Sequence, residues 1–282
     1  MVRITTDSTA DLGEDFEKYG IGVIPLNVIL DGECYLDGET VTPDDIFRTY
    51  NEKKILPKTA ARSPEDFKEF FGKYTANGDE VVHINISSQI SATHANALSA
   101  AKEMDGVYVI DSLSLSSGTG LLVLYACELA AKGLGAKEIY EKTKARVPFV
   151  QASFVVDTME YLHKGGRCSG LARFAATVLK IKPSLQLIDG KIEVGKKYMG
   201  SFDKSILKYV EETLSKYNTP DYTRIFITHS SARPETVELV REKVKSLAPF
   251  AEIKITVASS TITSHCGRGT LGILYINDGA EK

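Results

Sequence analysis

Strands alternating with helices constrain this chain more than any other feature. Through its first half, β-rich runs at residues 2–6, 80–86 and 107–111 are separated by helical patterns at 43–53, 64–74, 93–104 and 118–132. Such an alternation buries both kinds of apolar face when a parallel sheet is covered by helices. Thr42 and Ser63 are predicted N-caps with proline next in line, and Phe67, Phe70, Phe71 and Tyr74 make one apolar stripe. Residues 21–30 (IGVIPLNVIL) read as extended and broken at Pro25.

The second half has a different rhythm. Strands are predicted at 152–156, 185–188, 191–194, 224–229, 252–257 and 272–276, with helices at 204–216 and 234–246. Asp189-Gly190 between two β runs favours a type I′ hairpin turn, which adds antiparallel pairing. The expected fold is therefore α/β with two domains. Residues 1–150 form a parallel-sheet N-terminal domain, and residues 151–282 a smaller α/β domain with a mixed sheet.

Composition narrows the function. The 282 residues are 43% hydrophobic and 25% charged, ordinary for a soluble globular protein. A net charge of −3 argues against a general nucleic-acid binder. No run reaches the ~18 apolar residues of a membrane span, and the N-terminus lacks an apolar export segment. Cys34, Cys127, Cys168 and Cys266 form no CxxC pair, which fits free thiols in a reducing compartment. A cytoplasmic location is expected.

Ligands of parallel sheets sit beyond the carboxyl ends of the strands. Three such ends carry Ser/Thr clusters: residues 5–9 (TTDST), 87–93 and 112–119 (SLSLSSGT). Residues 81–95 (VVHINISSQISATHA) are the most informative, because a strand runs there through a Ser-rich turn into a helix start. The first N–H groups of a helix lack partners, and its dipole favours an anion. With the hydroxyls of Ser87, Ser88, Ser91 and Thr93, this junction suits one carboxylate or phosphate. The same residues are also ordinary helix caps, so the run by itself leaves both readings open.

Signs of catalysis are sparse. HExxH, GxSxG, P-loop and GxGxxG patterns are absent, and His83, His94, His163, His229 and His265 lack metal-ligand spacing. No cofactor or metal is expected. Asp7 and Asp111 end strands and read either as turn caps or, with His265, as catalytic groups. Residues 58–64 (KTAARSP) form a loop between helices, whose Thr59 either makes a local turn or donates into a cleft. Residues 163–170 (HKGGRCSG) read as a turn. Residues 265–272 (HCGRGTLG) offer His265 and Arg268 within a glycine-rich turn.

These pieces occur in an order that resembles the DegV family. They are Thr6-Asp7-Ser8 with Asp11-Leu12, Tyr35-Leu36-Asp37-Gly38, Pro57-Lys58-Thr59, Ser91-Ala92-Thr93, and Val109-Ile110-Asp111-Ser112 with Gly118-Thr119-Gly120. The second half adds residues 156–162 (VDTMEYL) with Gly165-Gly166-Arg167, residues 179–183 (LKIKP), Asp189-Gly190-Lys191-Ile192 and the run from His265 to Gly272.

The resemblance implies a two-domain α/β protein that encloses a long-chain fatty acid such as palmitate. It places the carboxylate at Thr59 and Ser91, with Ala92 alongside and Arg167 and His265 close by. It also implies a non-catalytic lipid carrier that presents the acyl carboxylate to a separate fatty acid kinase subunit. The residue-level alternative is an enzyme or a binder for another amphipathic carboxylate or phosphate. Several positions depart from the family pattern. Ala60 stands where serine is frequent, Ala92 where glycine is usual, and Arg62 and Arg268 where proline is common. Residues 196–200 (KKYMG) replace a stretch in which kinase-associated members tend to carry arginine. That last departure separates the expectation of binding from the expectation of a kinase partner.

Overall fold

The computed structural model describes residues 1–168, 181–215 and 219–277. In chain order the first half holds β1 (Val2–Asp7), α1 (Asp15–Lys18), β2 (Gly22–Ile24), β3 (Asn27–Leu30), β4 (Glu33–Leu36), α2 (Pro43–Lys53), β5 (Lys58–Ala60), α3 (Pro64–Thr75), β6 (Glu80–Asn85), α4 (Thr93–Ala101), β7 (Val107–Asp111), α5 (Ser117–Ala131) and α6 (Ala136–Arg146). The second half holds β8 (Val150–Val155), α7 (Glu160–Gly165), β9 (Ile181–Ile188), β10 (Lys191–Met199), α8 (Phe202–Ser215), β11 (Pro220–His229), α9 (Pro234–Leu247), β12 (Glu252–Val257), α10 (Ser260–Cys266) and β13 (Leu271–Asn277).

The expected architecture is present. β2-β1-β6-β7 form a four-stranded sheet in which every pairing is parallel. The order β10-β9-β8-β13-β11-β12 makes a six-stranded mixed sheet, antiparallel except between β11 and β12. A third sheet, β4-β3-β5, is antiparallel and small.

Helix α5 explains how the two large sheets are held. Its sequence is apolar over most of its circumference, with Glu128 its one charged residue, as expected of a helix with little solvent face. It packs against β1 and β6 on one side and against β8 and β13 on the other. Leu121, Leu122, Val123 and Leu124 share one core with Ile84 and Ile110 of the parallel sheet and with Leu274 and Ile276 of the mixed sheet. Gly118 and Gly120 set how close α5 can come. A Cβ at Gly118 would lie 3.3 Å from Ala152 Cβ, and one at Gly120 would lie 2.5 Å from the Ala10 carbonyl oxygen.

Helix ends follow their sequence signals. Thr42 and Ser63 each form a capping box, with Asp45 and Asp66 respectively, and each is followed by proline. The hairpin turn is of the predicted kind, because Asp189 and Gly190 both have positive φ, 48° and 79°. Several expectations need correction. Residues 58–60 form strand β5 instead of open loop, because β3 offers an edge to pair with. His163 lies in α7 rather than in a turn, and α6 and α10 occupy stretches with no predicted helix. Residues 169–170 of the predicted turn, Leu179-Lys180, and position 216 of a predicted helix lie outside the described residues.

The close approach at Gly120 makes a prediction. Gly120→Val should destabilise the fold by about 1–3 kcal/mol through overpacking against Ala10 and Leu12. Chemical denaturation should show a lower midpoint with an unchanged slope. A variant as stable as the parent would contradict the packing of α5 described above.

Candidate functional site

A cleft lies where the carboxyl ends of the parallel sheet face the mixed sheet. Its non-atom space is about 1080 Å³ including the open mouth. Leu26, Ile86, Leu115, Phe154, Ile192 and Leu274 supply apolar wall, and all are buried. Thr59, Ser91, Ala92, Arg167 and His265 also line it. The fold thus brings together all five residues singled out from sequence, although they come from four segments spread over more than 200 positions.

Each of these segments has a structural reason to be there. Thr59 sits on β5 opposite Val28 of β3, so backbone pairing fixes its position. Its Oγ1 lies 2.7 Å from His265 Nε2, a hydrogen bond across 206 residues of sequence. Ser91 lies just ahead of α4, where its Oγ accepts from the Thr93 N–H at 3.2 Å and meets Thr93 Oγ1 at 2.8 Å. Its loop is tied to the mixed sheet, because Ser87 Oγ donates to the Gly190 carbonyl at 2.7 Å. A Cβ at Gly190 would lie 2.5 Å from Ser87 Oγ, so the predicted turn glycine also permits this docking.

Arg62, the residue found where proline is common, joins the two hydroxyl-bearing segments. Its carbonyl accepts from Asn96 of α4 at 2.7 Å, and its guanidinium donates to Asn27 at 3.1 Å and to Asp66 at 2.9 Å. Arg268, the other arginine at such a position, lies over the Phe47 ring at 5.1 Å, a cation–π contact.

The polar end of the cleft is electrostatically simple. Burial, helped by the nearby Arg167 cation, pushes His265 down to about 4, so the ring is neutral at pH 7. Arg167 itself is exposed at the mouth, where Nη1 donates to the Gly165 carbonyl at 2.6 Å. Two cleft-lining side chains of α10 carry buried atoms without a hydrogen-bond partner among the described residues: Thr261 Oγ1 and His265 Nδ1. Buried polar groups are normally paired, so unpaired ones beside a cleft mark a place for a polar ligand group.

Most other candidates have structural work instead. Asp7 accepts from Thr9 N and Ile86 N, and Asp111 from Ser88 N and Leu113 N. Neither lines the cleft, so neither pairs there with His265. Of the three Ser/Thr clusters, only Ser91 and Ser116 reach it. Thr5, Thr6, Ser112 and Thr119 bond within the fold, to His83, the Ile84 carbonyl and one another. The sequence reading missed Thr261 and His229, which also line the cleft. Among the described residues, no group of three or more His, Cys, Asp or Glu side chains is arranged to hold a metal ion.

The DegV family model, described as "Uncharacterised protein, DegV family", matches residues 1–278. The chain belongs to the DegV family. It is 34% identical over 282 residues to a protein of Thermotoga maritima described as a fatty acid-binding protein, covering 96% of each chain. Its fold matches a DegV family protein from Thermus thermophilus, described by its fatty acid binding, with a TM-score of 0.88 and 32% identity over 98% of this chain and 99% of that one. It also matches a stearic acid-binding protein from Eubacterium ventriosum, with a TM-score of 0.87 and 25% identity over 98% of each chain. This DegV chain therefore shares nearly its whole length with these relatives.

The state of His265 is measurable. Its folded pKa lies below the ~6.5 of an unperturbed histidine. The unfolded chain consequently binds the proton more readily, and the stability contributed by the neutral ring is fully present above about pH 6.5. It is lost as the pH falls from there through about 4. Histidine NMR should show the His265 ring titrating near 4, and Arg167→Gln should raise that midpoint by removing a nearby cation. A His265 midpoint near 6.5 in the folded protein would contradict the described burial.

Proposed function

We propose that this DegV chain is a non-catalytic carrier of a long-chain fatty acid such as palmitate, with the carboxylate held at Thr59 and Ser91 and the acyl chain lying along the apolar wall. The observation that carries this reading is a single cleft with apolar walls and a hydroxyl–imidazole end. A carboxylate leaving water needs several donors to converge on it. Thr59, Ser91 and the first N–H groups of α4 are of that kind, and the exposed Arg167 adds a cation at the mouth. The descriptions of the Thermotoga, Thermus and Eubacterium relatives as fatty acid or stearic acid binders support the same assignment.

The hydrogen-bond directions follow from this reading. For Thr59 to give its proton to the ligand, its oxygen must accept from His265, so His265 carries its proton on Nε2. With the single proton of the neutral ring on Nε2, Nδ1 is an acceptor and does not itself bind the carboxylate. The tail supplies the bulk of the affinity, about 0.8 kcal/mol per buried methylene, or about 10 kcal/mol for a long chain before ordering costs. A carrier of this kind needs no nucleophile or base of its own. Phosphorylation of the presented carboxylate then belongs to a separate kinase subunit. Cytoplasmic residence fits this role, and no helix among the described residues is long and apolar enough to cross a membrane.

Native mass spectrometry of the gently purified protein should show a fatty acid adduct. Combining Thr59→Ala with Ser91→Ala removes two charge-assisted hydrogen bonds of about 1.5 kcal/mol each, so affinity for palmitate should fall by about 100-fold or more. Cooperative unfolding should persist. Wild-type affinity in the double variant would reject the assignment of the carboxylate to these residues.

A further inference from the structure

Helix α10 carries His265 but has little of its own to hold it in place. It is seven residues long, and its sequence, STITSHC, offers no apolar stripe. Helices this short are marginal without tertiary support. Beyond packing on α7 and a cap by Ser259, support comes from the other half of the molecule. Asp37, which follows β4 and is 3% exposed, accepts from Ser260 N at 2.8 Å through Oδ1 and from Thr261 N at 3.2 Å through Oδ2. Its Oδ2 also accepts from Ser8 Oγ at 2.9 Å, and Ser8 Oγ in turn accepts from Leu26 N at 3.1 Å. The Asp37 N–H donates to the Leu26 carbonyl at 2.9 Å. One carboxylate therefore joins the end of β1, the start of β3 and the first turn of α10. A second carboxylate, Asp11, takes the preceding N–H, that of Ser259, at 2.9 Å.

The consequence reaches both members of the Thr59–His265 pair. Leu26 immediately precedes β3, and β3 is the strand that pairs with β5 and so positions Thr59. Ser260 and Thr261 open the helix that ends at His265 and Cys266. Thr59 and His265 thus take their positions from two elements that meet at the same buried carboxylate. We infer that Asp37 is a positioning residue for the carboxylate end of the cleft, setting the Thr59–His265 hydrogen bond by clamping the start of α10 to the β1–β3 segment. This role rests on the fatty acid reading only for its effect on ligand; the effect on His265 geometry stands without any ligand.

Asp37 cannot be replaced by Asn without loss. An amide offers one acceptor oxygen where the carboxylate uses two, and its NH₂ would face an N–H or a hydroxyl donor. A second variant keeps aspartate at position 37. Ser260→Pro removes one N–H of the clamp and sets the ring Cδ where its hydrogen met Asp37 Oδ1, so that contact is lost at a first helical position that tolerates proline. Ser259 already has the extended conformation required before proline, with φ −59° and ψ 167°. Ser260→Ala is its partner control, since both variants lose the Ser260 hydroxyl bond to the Val41 carbonyl and only the proline loses the N–H.

The test is histidine NMR of the ligand-free full chain, followed by palmitate titration of the same samples. Asp37→Asn and Ser260→Pro should each move the His265 midpoint up from about 4 toward the value of a free imidazole. Both should weaken palmitate binding by about tenfold or more, and Ser260→Ala should shift His265 less than Ser260→Pro. Asp203→Asn, which weakens the partly exposed bonds from Arg233 and Thr236 to Asp203 of α8, controls for effects remote from the clamp and should leave the His265 midpoint in place. A wild-type His265 midpoint in Ser260→Pro, or equal shifts in Ser260→Pro and Ser260→Ala, would overturn the role. If Asp37→Asn does not fold, the proline–alanine pair decides the matter alone. Failure of the wild-type protein to bind palmitate would reject the carrier reading while leaving the His265 comparison valid.

Discussion

Burial of α5 between two sheets is the constraint from which the remaining geometry follows. A helix that is apolar over most of its circumference has to be covered on most sides, and neither sheet covers it alone. Its residues join the parallel sheet and the mixed sheet in one core, while Gly118 and Gly120 admit close approach on opposite flanks. With the sheets locked across α5, the carboxyl ends of the parallel strands are directed at the mixed sheet. The cleft forms in that space, lined from both sides.

Such an arrangement buries many polar groups, and the chain satisfies them largely with carboxylates. Asp7, Asp11 and Asp37 are nearly or wholly buried, and each accepts at least one backbone N–H from a distant segment. Burial outweighs the opposing bonds to Ser116 and Ser259 and pushes Asp11 up to about 8. An unpaired buried N–H costs about 1–3 kcal/mol, so these bonds select one docking of the loops around the cleft. Thr261 Oγ1 and His265 Nδ1, on cleft-lining side chains, have no hydrogen-bond partner among the described residues.

Much of this was legible in the sequence, for identifiable reasons. The long helices announced themselves through caps and apolar stripes, as at Thr42, Ser63 and the Phe67–Phe71 face. Asp189-Gly190 specified its own turn, because two consecutive positive φ angles leave few residue choices. Ser91 was visible as part of a strand-to-helix junction. Thr59 was not, since β5 has three residues and no period can be read from three. His265 lies on a short polar helix whose stability comes from Asp11 and Asp37 rather than from its own pattern. Thr59 and His265 each stood as one open reading among others until the resemblance to the DegV family selected them. The importance of Asp37 in particular depends on contacts spanning more than 220 residues, which no local signal encodes.

In the proposed carrier, an apolar wall holds the tail and a polar end recognises the anion. Comparing palmitate with hexadecanol separates these two parts, because the chains are alike and only the headgroup charge differs. At neutral pH, equilibrium competition for the wild-type protein should favour palmitate by about 100-fold or more, reflecting charge-assisted bonds at the hydroxyl–imidazole end. Equal affinity for the two ligands would contradict the account, leaving the cleft as a recogniser of acyl chains alone.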